Sequence, residues 1–379
     1  MPQLIRKRTI LAKIESTYGV DSVPTGSANA IQVRNLSVSP VAAELVGRDL
    51  IRPTLGNSDQ LLGNLRVELD FEVELAGAVF AGDAPAYGPL LRACAFAQTL
   101  NTAAVTITRT GSVATATLNA HGFAVGSRVR IAGAAQTEYN GTFTITAVTT
   151  NTFDYAVTGT PITPATGTIT VGRTAVYAPV SENYASVSIY VNVDGVLHRI
   201  LGAMGSVELV LNARQIPVYR FNFIGAYATP TDTAAPSTDY TAWATPLICS
   251  TQNTTNFSFF GVSSLVLESF NVNMNNQVEY RNLIGAQYAQ IVNRAPSGNA
   301  VYEATSIATL NIFNNAVNTT AGAVTIRQGL LGGNIVDISM PRVSIGNPTY
   351  EDSSGIVMIN APMNILPNAG NDEITITVR

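Results

Sequence analysis

The chain has 379 residues, of which 46% are hydrophobic and only 12% carry a charge. That charged share is about half of the roughly 25% usual for soluble globular domains, which indicates that much of the surface faces other protein. The formal net charge of −4 argues against a binder of duplex DNA, because such proteins need clustered Lys and Arg to neutralise phosphates.

The sequence predicts a mainly β protein. Thr, Val, Ile, Asn and Gly recur, and most segments alternate between apolar and polar residues with period two. The clearest strand covers residues 66–75, where apolar residues on one face alternate with acids on the other. The acids on this face are Glu68, Asp70, Glu72 and Glu74.

This acidic face has a simple physical consequence. Like charges two residues apart on one strand face repel each other, so the face must meet water or paired cations. A solvated strand face is the ordinary interpretation, and the functional one is a wall along which nucleic acid slides without adhering. A catalytic or metal-binding carboxylate pair is disfavoured, because nothing nearby predicts a cleft.

Residues 85–98 contain the strongest helix signal, with Pro89 suited to a first turn and an apolar face that continues to Ala97. Residues 102–173 follow, where short Thr- and Val-rich strands are separated by Gly turns. This pattern is typical of a small all-β domain, which we interpret as an insertion into a surface loop.

The next segment, residues 188–199, predicts a hairpin with a tight turn at Asp194-Gly195. Two further strands are expected at residues 206–212 and 217–223. Residues 227–256 then have the Pro, Thr and Ser content of a linker.

The end of the chain is interpreted as a second copy of its beginning. The segments LSVSP (36–40) and FNVNM (270–274) are each followed by matching residues, Arg48-Asp49-Leu50-Ile51 and Arg281-Asn282-Leu283-Ile284. The predicted organisation is a first β domain of residues 1–101 and 174–226, an inserted domain of residues 102–173, a linker at 227–256 and a second β domain at 257–379.

No motif for catalysis, a cofactor or a metal is found. The two histidines, His121 and His198, lie outside the H-E-x-x-H pattern and accompany no Gly-x-Ser-x-Gly elbow. Cys94 and Cys249 are far apart and outside a C-x-x-C pair, so buried reduced thiols are expected. The sequence therefore predicts no enzyme, no cofactor and no catalytic or metal-binding residue.

The first residues are basic, and no apolar segment of a secretory signal follows them. This basic start can bind phosphates, but pairing with acidic groups of a neighbouring subunit is favoured. No apolar run approaches the roughly 20 residues of a membrane helix, so no membrane insertion is expected. Synthesis in a cytoplasm is expected.

Several segments together resemble the major tail tube proteins of siphophages, the long-tailed bacteriophages. The resemblance covers most of residues 1–100 and 174–379. Its segments are IESTYG (14–19), GRDLIRP (47–53), LDFEVELAG (69–77), APAYGPLLRAC (84–94), GNPTY (346–350) and NDEITITV (371–378).

The resemblance implies a structural protein of the virion tail, made in the cytoplasm of a bacterial host. The implied fold is mainly β, with two tail-tube-type β-sandwich domains, short flanking helices and the inserted domain. The resemblance further implies that copies of the chain form stacked rings around a channel through which DNA passes without specific binding. The family also implies a tape measure protein and a tail terminator as partners.

Within this resemblance, the acidic face is predicted to line the channel, and the loop around residues 44–64 is predicted to bridge rings. Two tube-like domains per chain predict a ring of three chains with pseudo-sixfold symmetry. The open alternative is six chains, with residues 257–379 as an unrelated outer domain. The candidate contacts between rings or subunits are residues expected in loops: Arg48, Asp49, Arg52, Arg281 and Asn282.

Two other functions compete with this interpretation. One is an extracellular or virion glycan-binding or adhesion protein with the inserted domain as its lectin-like part, although Trp243 alone is available for a sugar platform. The other is a β-rich glycosidase, which the missing acid/base context disfavours.

Overall fold

The computed structural model describes residues 3–379, and the chain is mainly β as predicted, with 53% strand and 5% helix. The first elements are β1 (Arg8–Ile14), α1 (Gly26–Asn29), β2 (Ala30–Ile31), β3 (Arg34–Gly47), β4 (Gln60–Glu74), α2 (Gly88–Ala93) and β5 (Phe96–Ala104). The inserted segment follows with β6 (Thr106–Thr110), β7 (Val113–Thr117), β8 (Arg128–Ala134), a 3₁₀ turn (Thr137–Tyr139), β9 (Gly141–Val148), β10 (Thr152–Ala156) and β11 (Gly167–Pro179).

The next strands are β12 (Val187–Val193), β13 (Val196–Asn212), β14 (Val218–Tyr227) and β15 (Thr231–Asp232). The last part contains β16 (Thr254–Phe259), β17 (Leu267–Asn273), β18 (Asn276–Leu283), β19 (Ala286–Arg294), β20 (Ser297–Glu303), α3 (Ile312–Val317), β21 (Gly322–Gln328), β22 (Val336–Ile345), β23 (Thr349–Ser353), β24 (Ile356–Ile365) and β25 (Thr375–Val378).

One antiparallel sheet, which we call the long sheet, runs through both parts of the chain. Its strands pair in the order β3, β4, β14, β13, β17, β20, β24 and β23. Within the described residues, β3 pairs only with β4, and β23 pairs only with β24. The long sheet therefore ends in an open edge on each side.

A second layer covers the apolar face of the long sheet. It contains β2, β1, β12 and the first half of β13, and also β16, β21, β22, β25, β11 and β5. A single hydrophobic core between the layers extends from Ile10 to Val378. The beginning and the end of the chain are thus packed together rather than folded as separate bodies.

The same order of strand pairing occurs twice. In the first part it is β1, β12, β13, β14, β4 and β3, and in the last part it is β16, β21, β22, β24, β20 and β17. Even one irregularity recurs: the β12–β13 ladder shifts between Val187 and Ile189, and the β21–β22 ladder shifts between Gly322 and Val324. α2 follows β4, and α3 follows β20.

The helix predicted at residues 85–98 is shorter than expected. Pro89 lies in the first turn of α2, as predicted, but the helix ends at Ala93. Ala95 has a positive φ of 65°, and Phe96 begins a strand that pairs with β11. Ala97 is therefore exposed on β5, because the sheet contact overrides the local helical pattern.

The inserted segment has its own hydrophobic core, made of Ala81 and residues between Val105 and Val171. Its strands pair in the order β11, β8, β9, β10, β7 and β6. The expected boundaries lie inside the β5–β11 ladder, where Thr102 is opposite Gly172. The inserted segment is thus connected to the rest of the chain, which we call the body, through two paired strands and not through a loop.

The linker expected at residues 227–256 is fastened to the body. β15 pairs with β13, and β16 already begins at Thr254. The indole nitrogen of Trp243 donates to the carbonyl oxygen of Ala30 at 3.1 Å. The segment joins the two parts along a defined path.

Gly205, in the middle of β13, leaves no room for a side chain, because a Cβ atom there would lie 2.3 Å from the carbonyl oxygen of Asn222. We expect Gly205→Ala to lower the free energy of unfolding by about 1–3 kcal/mol, the range of overpacking substitutions. Urea denaturation measures this. Gly47→Ala is the control, since a Cβ atom at Gly47 meets nothing within 4 Å; equal losses for both variants would contradict the expectation.

The inserted segment is expected to be dispensable for folding of the body. Ala104 and Thr170 are opposite each other in the β5–β11 ladder, so residues 105–169 can be replaced by an Asn-Gly turn that closes the hairpin. The shortened chain should unfold in one cooperative transition by calorimetry. The loss of the contacts from Arg130 to Asp83 and from Arg128 to Phe80 should lower the melting temperature modestly; a non-cooperative melt would contradict the prediction.

Candidate functional site

The face of the long sheet that points away from the core is polar, and we call it the polar face. Its side chains line up across the strands, because residues opposite each other in a ladder point to the same side. One such line crosses six strands and consists of Glu72, Arg220, Glu208, Asn273, Ser297 and Asn364.

The acids predicted on residues 66–75 lie on this face. The alternate residues Leu69, Phe71 and Val73 are buried in the core, while Asp70 is exposed and Glu72 is half-buried. β4 therefore adopts the two-sided pattern that its sequence predicts.

The acids are not an isolated stripe, however, because cations from the same face accompany them. The guanidinium of Arg220 lies 3.1 Å from Glu72, that of Arg34 lies 3.3 Å from the same carboxylate, and that of Arg66 lies 2.8 Å from Glu68. Sequence reasoning missed these partners. The available signal was the alternation in β14, where Arg220 and Asn222 are the polar residues between buried aromatic ones.

Further hydrogen bonds fix the carboxylates in place. The side-chain amide of Asn222 donates to Asp70 at 2.6 Å, and that of Asn271 donates to Glu208 at 3.2 Å. Arg220 also lies 3.4 Å from Glu208, so its guanidinium joins acids of β4 and β13. The charged groups form a connected network across four strands, β3, β4, β14 and β13.

The last part of the chain contributes amides to the polar face where the first part contributes charges. Glu303 is the half-buried acid at the end of β20, opposite Met358. The asparagines of this region are Asn271, Asn273, Asn299, Asn360 and Asn364.

A two-stranded extension of β3 and β4, residues 42–47 and 60–66 with the tip at 48–59, is called the first arm. Leu45 is opposite Leu62 and Val46 is opposite Leu61, with 61%, 61%, 55% and 56% of these residues exposed, respectively. Adjacent pairs point to opposite sides, so both faces of the first arm are apolar and exposed. Contiguous exposed apolar surface marks a site of protein contact.

The predicted contact residues at the tip of the first arm are engaged within the chain. Arg48 and Arg52 lie 3.0 and 3.4 Å from the carboxylate of Asp59. These exposed ion pairs shape the tip, and such pairs contribute about 1 kcal/mol or less. Asp49 is exposed, and next to these charges Ile51 and Leu55 are fully exposed.

β18 and β19 form a second two-stranded extension, the second arm. Arg281 and Asn282 were expected in a loop, but they lie within β18 opposite Tyr288 and Gln287. The ladder continues to the end of the hairpin because Gly285 adopts the positive φ, 95°, that a two-residue turn needs.

Unlike the first arm, the second arm packs on the body of its own chain. Ala289 and Ile291 are buried against Ala95 and Met204. The backbone N–H of Ala289 donates to the hydroxyl of Tyr18 at 2.5 Å, and burial there raises the pKa of Tyr18 to about 12. The first arm has the same place in the strand order, but its outer pairs Leu45–Leu62 and Val46–Leu61 are exposed.

His121 is buried in the inserted segment, where Nε2 faces the carbonyl oxygen of Thr152 and Nδ1 accepts from the N–H of Phe123, both at 3.0 Å. Among residues 3–379, no group of three His, Cys, Asp or Glu side chains is arranged to hold a metal ion. No helix in the described chain is long and apolar enough to cross a membrane.

The sequence model of the phage tail tube protein family matches residues 6–378. The chain belongs to this family. It is therefore a structural component of a phage tail, as the resemblance of the separate segments implies. No curated protein sequence matches the chain.

The charge network of the polar face yields a test. Arg220→Gln removes the guanidinium that lies beside both Glu72 and Glu208, and we expect a loss of about 1 kcal/mol or less in the free energy of unfolding, measured with urea at low salt. The loss should shrink in 1 M NaCl, since salt screens exposed charges. Arg281→Gln, on the second arm, is the control; an equal or salt-independent effect would contradict the role of Arg220.

Proposed function

We propose that this tail tube protein closes into rings that stack into a tube, with the polar face lining the channel through which DNA enters the host. The observation that carries the proposal is the long sheet itself. It has a continuous core on one side, a charged and amide-rich surface on the other and an open edge at each end. Such a sheet is suited to become part of a barrel wall, since closure removes open edges.

The chemistry of the polar face fits a wall that does not hold DNA. Near the network, the acids outnumber the cations, and an excess of negative charge repels phosphates. The guanidinium groups of Arg34, Arg66 and Arg220 are already bound to carboxylates, which competes with their binding to phosphates. The asparagines of the other part carry no net charge. DNA can then pass without a specific site.

We infer a ring of three chains with pseudo-sixfold symmetry, in which each chain supplies two units of the tube fold. The repeated strand order supports this inference, as do the recurring ladder shift and the paired positions of α2 and α3. Linking two units in one chain makes half of the ring contacts intramolecular, which lowers the entropic cost of assembly. In the alternative ring of six chains, residues 257–379 lie outside.

The first arm is proposed to contact other copies of the chain through Ile51, Leu55 and its exposed apolar pairs, rather than through Arg48 or Arg52. The inserted segment is proposed to face outward, away from the channel. The tape measure protein and the tail terminator are the expected further partners, in a siphophage whose proteins are made in the host cytoplasm.

Cryo-electron microscopy of the purified protein tests the ring and the channel together. We expect tubes with three chains in each ring and six similar sheets around the channel. In the variant Asp70→Cys, treated with a small mercurial compound, the added density should lie on the channel wall. Val113→Cys, in the inserted segment, should place the density outside. Uniform monomers would contradict the proposed tube. Six chains per ring would contradict the trimer, and mercury density at a subunit interface would contradict the position of the polar face on the channel wall.

A further inference from the structure

We propose that successive subunits join by strand pairing between β3 of one copy and β23 of the next, in the register that β17 and β13 adopt inside each chain. This inference rests on the proposed ring. It names the surface that closes the ring and the partner, which is a second copy of this chain.

We call the proposed pairing of β3 with β23 between subunits the joint. The ladder between β13 and β17 within each chain is its template. β13 and β17 pair across the boundary between the first and the last part, with Leu209 opposite Val272 and Leu211 opposite Phe270. All four side chains are buried in the core. The polar neighbours Glu208 and Asn271 point to the polar face and are hydrogen-bonded at 3.2 Å. This ladder is how one part of the long sheet continues into the other.

The two open edges have the same places in the strand order as the two strands of the template. β3 pairs with β4 as β17 pairs with β20. β24 lies between β20 and β23, as β14 lies between β4 and the second half of β13. β3 and β23 are thus the counterparts of β17 and of the second half of β13, and within residues 3–379 each lacks the partner that its counterpart has.

The register can be transferred residue by residue. Residues 36–40 match residues 270–274. When this match is carried from strand to strand through the two parts of the long sheet, Thr349 becomes the counterpart of Glu208. The pairs expected between subunits are Ser39 with Thr349, Val38 with Tyr350, Ser37 with Glu351 and Leu36 with Asp352.

Prolines limit the length of this pairing. In the template, the N–H of Met274 donates to the carbonyl oxygen of Val207 at 3.0 Å. Pro40 is the counterpart of Met274 and has no N–H, so the ladder ends at Ser39. Pro348 immediately precedes Thr349 on the other strand. The joint is therefore short, and it needs side-chain contacts in addition to the ladder.

The side chains at the two edges are complementary. Tyr350 is 65% exposed in the single chain and would lie opposite Val38, beside Leu36, which is half-buried against the core. The acids Glu351 and Asp352 would approach Arg34 and Arg8. Arg8 is already at this edge, where its guanidinium donates to the carbonyl oxygen of Leu36 at 3.0 Å.

A disulfide between Ser37→Cys and Glu351→Cys tests the register. In an antiparallel ladder, hydrogen-bonded and non-hydrogen-bonded pairs alternate. Because Met274 and Val207 form a hydrogen-bonded pair, Asn271 and Val210, the counterparts of Ser37 and Glu351, form a non-hydrogen-bonded pair. Such pairs have Cα atoms about 4.5 Å apart, within the range that a disulfide spans. Cys94 and Cys249 are buried, and burial raises the pKa of both thiols, so they stay unreactive.

After oxidation of assembled tubes and denaturing electrophoresis without reductant, we expect covalent dimers and trimers, with the trimer as the largest species. Thr349→Cys with Ser39→Cys is a second pair of the same kind, in case the first does not fold. Ser37→Cys with Ser353→Cys is the control, on the same face but two residues out of register, and should cross-link at least tenfold less.

The outcomes separate the joint from the ring. Tubes in the microscope without cross-links from either pair, or with equal cross-links from the control, would overturn the joint and leave the tube intact. Cross-linked trimers without tubes would support the joint and contradict stacking. Neither tubes nor cross-links would contradict both the joint and the proposed function.

Discussion

The ladder between β13 and β17 is the interaction on which the rest of the structure depends. β13 pairs with β12 in one layer and with β14 and β17 in the other, so a single strand crosses from layer to layer. Gly202 has a φ of +61° at the irregularity in this strand, and Gly205 lets β14 approach closely. The core is continuous because β13 holds both layers and both parts of the chain.

Charge on the polar face is concentrated in the part of the long sheet where cations and acids alternate across strands. Glu72 touches guanidinium groups from β3 and β14, and Asp70 is held by an amide of β14. These guanidinium and amide groups offset the repulsion between the acids on one strand face. A sheet of this kind can present an acidic surface to a channel and remain stable as a wall.

The two arms have equivalent places in the strand order but different contacts. The second arm packs on its own chain, and by our proposal the first arm packs on another copy. The second arm is buried against the body at Ala289 and Ile291, whereas the first arm leaves Leu45 and Leu61 in solvent. Exposed apolar area of this extent is unfavourable for a lone subunit. The low charge of the whole sequence has the same physical meaning, since surface that faces other protein does not need charge for solubility.

The sequence by itself determined the β class, the two faces of β4, the turn at Asp194-Gly195 and the family, because alternation and turn chemistry are local and survive in the fold. Only the tertiary structure decided what each element meets. Arg220 reaches Glu72 across 148 residues of sequence. Ala97 lies in a strand and not in the predicted helix because β5 pairs with β11. Arg281 lies in a strand because β19 continues the ladder. Such partners depend on which strands become neighbours, and no local pattern encodes that choice.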